Sequence, residues 1–281
     1  MKIIFTLLFI SSATIIGFGQ DKFQFNSQMK PNSNYQTEVV SIVNTSTKLI
    51  TKEMIAEEFK NVNGSAEMQL VTLATTSALD KDGNVPFVMN YKTLDIKSFM
   101  NGKQLPSQNY KYSDFNKLKI FGIDTKTNRE FKKIELNGQE VSGETKMYMN
   151  TFFESIKQFN VYPTEVFRIG QTHSAKQNIK LSTQGAEFVI NLNSDFTLIK
   201  IEDGKAFFNI VILGDMKTPD NQSLKMLIEE YRISGSAIID LKDNTIAESN
   251  FEGPIVIKIN SEDFSLEISA KNKYIIKTIK L

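Results

Sequence analysis

The sequence predicts a mainly β protein, a curved antiparallel sheet of half-barrel or open-barrel form with one central amphipathic helix. Three observations predict it. Short runs rich in Val, Ile, Thr and Phe recur between clusters of turn residues, at a spacing that suits hairpins and not βαβ units. Asn101-Gly102, Asn137-Gly138 and Asp203-Gly204 offer the positive φ angles that tight hairpin turns need. A single segment departs from this pattern with a 3.6-residue apolar stripe.

Residues 1–19 read as a cleavable export signal. Lys2 gives a positive start, Ile3 to Ile10 an apolar run, and Gly17-Phe18-Gly19 places small residues where a signal peptidase cuts. An uncleaved anchor is the rival reading. Against it, the stretch from Ile3 to Phe18 is shorter than the ~20 residues a bilayer requires, and Ser11, Ser12 and Thr14 interrupt it. No later segment is apolar enough to span a membrane as a helix, so no integral membrane segment is expected after processing.

An N-terminal β region is expected over 20–141. Residues 20–34 are polar, contain Pro31 and read as a loose lead-in. Tyr35 to Asn44 reads as a strand, Leu49 to Lys60 as a short helix, and Met68 to Ala74 and Val85 to Phe99 as strands about the turn Lys81-Asp82-Gly83-Asn84. The central helix is expected over 142–160. Ser142 caps it, Pro163 follows it, and Tyr148, Phe152, Ile156 and Phe159 share one face. The C-terminal β region, 161–281, holds strands near 196–201, 205–213, 226–233, 237–241, 245–251, 255–260, 264–270 and 274–280, with 214–225 as a loop. The two β regions are expected to combine in one domain; whether they form one sheet or two stays open at this point.

Composition excludes several functions. The chain has no cysteine, which rules out disulfides and the lipid-modified cysteine of a lipoprotein. Of 33 basic residues only Lys2 lies in the leader, leaving 32 against 32 acidic ones, and only Arg129, Arg168 and Arg232 are arginines. A balanced, arginine-poor chain argues against a nucleic-acid partner.

No catalytic, metal or cofactor motif emerges, so no enzyme is expected. His173 is the single histidine, with no cysteine and no Gly-x-Ser-x-Gly elbow to serve, and one histidine does not make a zinc site. It reads as a surface or hydrogen-bonded residue. Asp80-Lys81-Asp82-Gly83-Asn84 resembles the start of a calcium loop, but Val85 stands at the sixth position and Tyr91 at the twelfth, so a hairpin turn is expected. The carboxylate pairs Glu57/Glu58, Glu229/Glu230 and Glu262/Asp263 are adjacent, which on a strand sends them to opposite faces.

One positive lead remains. A two-residue loop at Asp203-Gly204 pairs Lys200 with Phe207 and Ile199 with Phe208. One face of the ribbon then carries Ile199, Ile201, Ala206, Phe208 and Ile210, the other Phe196, Leu198, Phe207 and Val211. A helix or second sheet over one side explains this. So does a curved sheet holding a hydrophobic ligand on Phe196, Leu198, Phe207 and Val211, with the helix of Tyr148, Phe152, Ile156 and Phe159 as a lid.

This organisation looks like the periplasmic lipoprotein-carrier type of half-barrel. The leader, the cysteine-free chain, the central helix followed by Tyr162-Pro163, the downstream Ile169-Gly170 and the strand series with Gly235-Ser236 also resemble a family of uncharacterised secreted proteins of Gram-negative bacteria. The carrier resemblance implies non-covalent binding of acyl chains or lipoproteins and no catalytic residue. The chain is longer than a minimal carrier and nearly lacks arginines that could latch a lid. The expectation is a non-enzymatic protein, exported to the periplasm or beyond and not lipid-anchored, with a lipid or acyl-chain ligand. The alternative is a structural or protein-interaction β-sandwich of the envelope without a ligand cavity.

Overall fold

The computed structural model describes residues 22–25, 28–51, 60–105, 117–125, 129–141, 163–183, 186–217, 225–243 and 245–281. Its elements are strands: β1 Lys22–Gln24, β2 Asn34–Thr51, β3 Asn61–Thr76, β4 Val85–Met100, β5 Lys103–Gln104, β6 Leu118–Asp124, β7 Arg129–Leu136, β8 Gln139–Glu140, β9 Val166–Arg168, β10 Thr172–Thr183, β11 Ala186–Glu202, β12 Lys205–Lys217, β13 Lys225–Asp240, β14 Thr245–Asn260 and β15 Phe264–Lys280. The expected leader, 1–19, and central helix, 142–160, lie outside the described residues.

β1 and β9 pair as a small ribbon. The other strands make one antiparallel sheet in the order β10-β11-β12-β13-β14-β15-β2-β3-β4-β6-β7-β8, with β5 on β4. The two β regions are therefore one ladder, joined where β15 pairs with β2 from Phe264↔Thr51 to Lys280↔Tyr35. The sheet is not closed into a barrel: β10 and β8 end the order.

The strands are longer than the sequence suggests. β2 runs 18 residues, ~60 Å at the rise of an antiparallel strand. β13, β14 and β15 each absorb two of the expected short strands, passing straight through Ser234-Gly235-Ser236, Gly253-Pro254 and Lys271-Asn272-Lys273. Those residues read as turn punctuation but lie mid-ladder. A Cβ at Gly253 would stand 1.9 Å from the Arg232 carbonyl oxygen, and one at Gly235 would stand 2.0 Å from that of Asn250. Glycine marks a close approach of two backbones here, not a loop.

Two further expectations are corrected. Leu49, Ile50 and Thr51 end β2 and do not start a helix, because β15 offers them a full ladder of partners; 52–59 lie outside the described residues, and Lys60, the last residue of the expected helix, is helical. The lead-in 20–34 is not loose where it is described. Phe23 and Met29 are core residues, since their large apolar side chains find the sheet face.

The tight turns follow the sequence. Asn101-Gly102, Asn137-Gly138 and Asp203-Gly204 all have φ between 50° and 80°. Asp80 closes the β3–β4 turn, its Oδ1 accepting from the backbone amides of Asp82 and Asn84 at 2.9 Å each. These donors, that of Asn84 first, hold the carboxyl below its ordinary range.

Candidate functional site

Alternation along each strand, carried through the ladder register, sorts every side chain to one of two faces. Gly253↔Asn272↔Val43↔Ala66↔Ser98 and Ile257↔Ile268↔Thr47↔Val62 are two such rows. The face they belong to is the inner face. Away from the ends near Lys280, its positions on β13, β14, β15, β2, β3 and β4 hold Ile, Val, Leu, Met, Phe, Tyr and small or neutral polar residues, and no charge. The charged residues that pair in these strands, such as Glu38, Lys48, Glu67, Lys258, Glu267 and Lys271, occupy the outer face.

A strap of residues 22–25 and 28–33 covers one end of the inner face. Phe23 and Phe25 sit on Phe208 of β12, with ring centroids 5.2 and 5.1 Å away, and Phe167 of β9 joins them at 5.3 Å from Phe208. Leu198, Ala206, Ala237 and Ile239 complete this core. A few residues on, the Met29 amide donates to Asp124 Oδ2 (3.3 Å), Gln28 Nε2 donates to the Gly83 carbonyl (2.9 Å), and Met29 packs with Tyr35 and Phe87. Arg129 holds the fully buried Asp124 with two hydrogen bonds, Nε to Oδ1 at 2.7 Å and Nη2 to Oδ2 at 3.0 Å.

The strap also sets the curvature. Phe25 to Met29 reaches at most ~14 Å when extended. From β12 to β6 is seven ladder steps, ~34 Å if the sheet were flat. Side chains on a sheet stand perpendicular to it and add height, not lateral reach. The sheet is therefore rolled toward the strap, with the inner face on the inside.

Beyond the strap end, Met216 of β12 and Ile228 of β13 are buried, with Ile190, Met226, Tyr231 and Ile257 packed against them. Farther along, on β14, β15, β2, β3 and β4, Ile255, Ile259, Leu266, Ile268, Leu49, Val62, Met68 and Ile96 are each half-buried and belong to none of the buried clusters of the described residues. Between the two halves lies a waist of small and polar residues: Gly235, Gly253, Asn272, Ser41 and Ser249. Asn272 is 4% exposed and Ser249 1%, and neither Asn272 Nδ2 nor Ser249 Oγ has a hydrogen-bond partner. Tyr231 and Tyr274 flank the waist. Burial raises both phenols, Tyr231 to about 12.

The structure divides the residues that the sequence grouped. A bulge at Ile199 pairs Leu198, not Ile199, with Phe208. Phe196 and Leu198 thereby join the inner face and are buried beneath the strap, beside Phe208 and Ile210. Phe207 and Val211 stay on the outer face, half-buried, with Lys200 Nζ 4.6 Å above the Phe207 ring. The apparent two-faced ribbon is thus a one-faced ribbon with one extra residue, and Ile199 is exposed. Tyr148, Phe152, Ile156 and Phe159 lie outside the described residues. The open inner surface on β14, β15, β2 and β3 was not found from sequence, although its signal, alternating Ile and Val across Ile255–Ile259 and Leu266–Ile268, was there to read.

His173 is in β10, its ring edge-on to Phe167 at 4.6 Å and its Nε2 without a hydrogen-bond partner. Glu229 does not alternate with Glu230, because β13 bulges there; both are exposed, and Glu229 Oε1 lies 2.7 Å from Lys258 Nζ on the outer face. Among the described residues, no group of three His, Asp or Glu could hold a metal ion, and no helix is long and apolar enough to cross a membrane. A trough of ≈ 750 Å³ crosses the outer face, lined by Asn44, Ser46, Asn63, Ser65, Glu67, Phe99 and Lys271 among others. Its lining mixes small polar side chains with apolar surface from Phe99, Pro254, Val256 and Ala270.

No family model matches the chain, and no curated protein matches it. Among solved structures, it superposes on lipovitellin, in a study of lipid–protein interactions, with a TM-score of 0.48 at 11% identity; the match covers 90% of this chain and 26% of that one. The binding domain of botulinum neurotoxin serotype C1 follows at 9% identity and a TM-score of 0.10, over 86% of this chain and 78% of that one. The chain thus spans about a quarter of the lipovitellin chain, and neither likeness bears on what it binds.

Proposed function

We propose that this is a non-enzymatic, exported envelope protein that carries or holds a lipid or acyl-chain ligand on the open half of its inner face. The observation that supports this is the sorting of charge. Six neighbouring strands put their paired charges outside and leave a broad, half-buried, uncharged surface inside. A soluble chain rarely leaves so much contiguous apolar surface without something to cover it. The rolled shape suits a chain-like apolar ligand, which needs burial and no chemistry. Export follows from the leader, with processing after Gly19. Protein from the envelope fraction should begin at Gln20, and a start at Met1 refutes that.

Titration with a fluorescent fatty-acyl probe tests the binding surface. Ile268→Asn, on the inner face, should weaken binding about tenfold by placing a polar group against the chain. Ser269→Asn, one residue on and on the outer face, should leave it unchanged. Equal effects of the two, or no binding by the wild type, would sink the proposal and leave a sheet whose face meets a protein.

A further inference from the structure

We propose that the corner formed by the β1–β9 ribbon and the turn after it is where the protein meets a lipid bilayer bearing anionic headgroups. This surface stands apart from the inner face and does not depend on what that face holds. In the ribbon, Phe23 and Phe167 are buried in the strap core. Alternation therefore turns Lys22, Gln24, Val166 and Arg168 outward together, and all four are exposed. Directly after β9 the chain turns over Arg168–Gln171. The Gln171 amide donates to the Arg168 carbonyl at 2.9 Å, and Gly170 takes a φ of 83°. That is a type II turn with Ile169 at its first corner, where proline or a polar residue is usual and an aliphatic side chain has nothing to pack on.

The turn is braced. The Arg168 amide donates to Gln171 Oε1 at 3.0 Å, the Gly170 amide to the Leu198 carbonyl at 2.7 Å, and the Leu198 amide to the Gln171 carbonyl at 3.1 Å. The bonds to Leu198 set the turn against the bulge, so Ile169 and Ile199 are carried on neighbouring peptide groups. Ile169 is 50% exposed, Val166 47% and Ile199 43%. Single exposed aliphatic residues are ordinary, but three on one braced corner beside unpaired cations mark an interaction surface. Lys22 and Arg168 are direct cross-strand partners, an arrangement that repels, and neither has an ion pair among the described residues. Exposed Glu165 offsets one of the two cations, and Lys200, beyond Ile199, is held by Glu202.

The size of the surface chooses the occupant. The three aliphatic residues offer ~250 Å², well below the ~800 Å² that each partner gives to a stable protein interface. A bilayer needs less: a few aliphatic tips entering the headgroup region, with cations around them drawn to anionic lipid. Val166, Ile169 and Ile199 supply the tips, and Lys22 and Arg168 the cations.

Flotation of the protein with two sets of vesicles tests this, one of phosphatidylcholine alone and one with about a third of phosphatidylglycerol. Wild-type protein should partition into the anionic set about tenfold more strongly, and salt at about 1 M should remove most of the difference. Ile169→Ser with Ile199→Ser should weaken the partition about tenfold, and Lys22→Gln with Arg168→Gln should make the two sets equal. Leu227→Ser, at a comparably exposed leucine on the outer face of β13, should change nothing. All these residues are exposed, so an unchanged urea midpoint separates lost partition from lost fold, and the wild-type comparison needs no variant. Equal partition of the wild type into both sets, partition into neither, or anionic binding that survives the double isoleucine change overturns the proposal. So does a wild-type dimer in sedimentation that the isoleucine changes dissolve, since the corner would then be a protein interface.

Discussion

Phe208→Ala and Ile268→Ala delete apolar atoms from the same face of the same sheet, yet they should cost very different amounts. Phe208 is 1% exposed and has the rings of Phe25, Phe23 and Phe167 at 5.1, 5.2 and 5.3 Å. Three of its neighbours come from the strap and β9, which cannot follow a shrinking side chain without leaving their own partners. The void persists, and the loss should be ~3–5 kcal/mol. Ile268 is half-buried and belongs to none of the buried clusters, so truncation forfeits about half of an isoleucine's burial, ~1 kcal/mol, and leaves no closed cavity. Urea unfolding of the two variants, read by midpoint at unchanged slope, measures both. An Ile268→Ala loss as large as that of Phe208→Ala would mean that the far half of the inner face is packed core. A Phe208→Ala loss under ~1 kcal/mol would mean that the strap is not docked.

Three other outcomes follow from the same geometry. Arg129→Ala strands the buried Asp124 carboxylate with little more than the Met29 amide and should cost about 3 kcal/mol, the lower part of the range because Arg129 keeps 31% exposure; Asp124→Leu with Arg129→Met should recover most of it, and a single-variant loss near zero in urea refutes the clasp. Gly253→Ala should unfold the protein or lower its midpoint sharply, since its Cβ meets the Arg232 carbonyl at 1.9 Å; a melt like the wild type's would show that β13 and β14 are not so close. Burial raises the phenols of Tyr91 and Tyr231, the latter to about 12, whereas unfolded tyrosines ionise near 10, so the stability they contribute is complete below pH 10 and is lost as pH rises toward 12. Tyr231→Phe should flatten that decline in the urea midpoint, and an identical slope in both proteins refutes it.

The architecture was legible where it depends on local chemistry. Asn-Gly and Asp-Gly fix their turns whatever surrounds them, and period-two patterns mark β2, β4, β11 and β12. What was not legible depends on distant partners. Gly253-Pro254 and Ser234-Gly235-Ser236 look like loop residues until the neighbouring backbone is seen pressing on them. The Ile199 bulge is one residue of register, enough to exchange faces and send Phe196 and Leu198 beneath the strap while Phe207 stays outside. Phe23 and Phe25 sit in a polar stretch, so their docking could not be read from composition. The Asp124–Arg129 pair joins the ends of β6 and β7 and left a modest sequence signal in a chain with three arginines. The same parity that defines the inner face was present in Ile255–Ile259 and Leu266–Ile268, but only the register between strands turns separate alternations into one surface.

Native mass spectrometry of the protein purified from its host's envelope fraction, without detergent, tests the ligand-holding inner face most directly. The account predicts a species heavier than the bare chain by the mass of a lipid, released on activation and recovered in the organic extract. The bare chain alone, with no lipid in the extract and no uptake of a fatty-acyl probe afterwards, would contradict it.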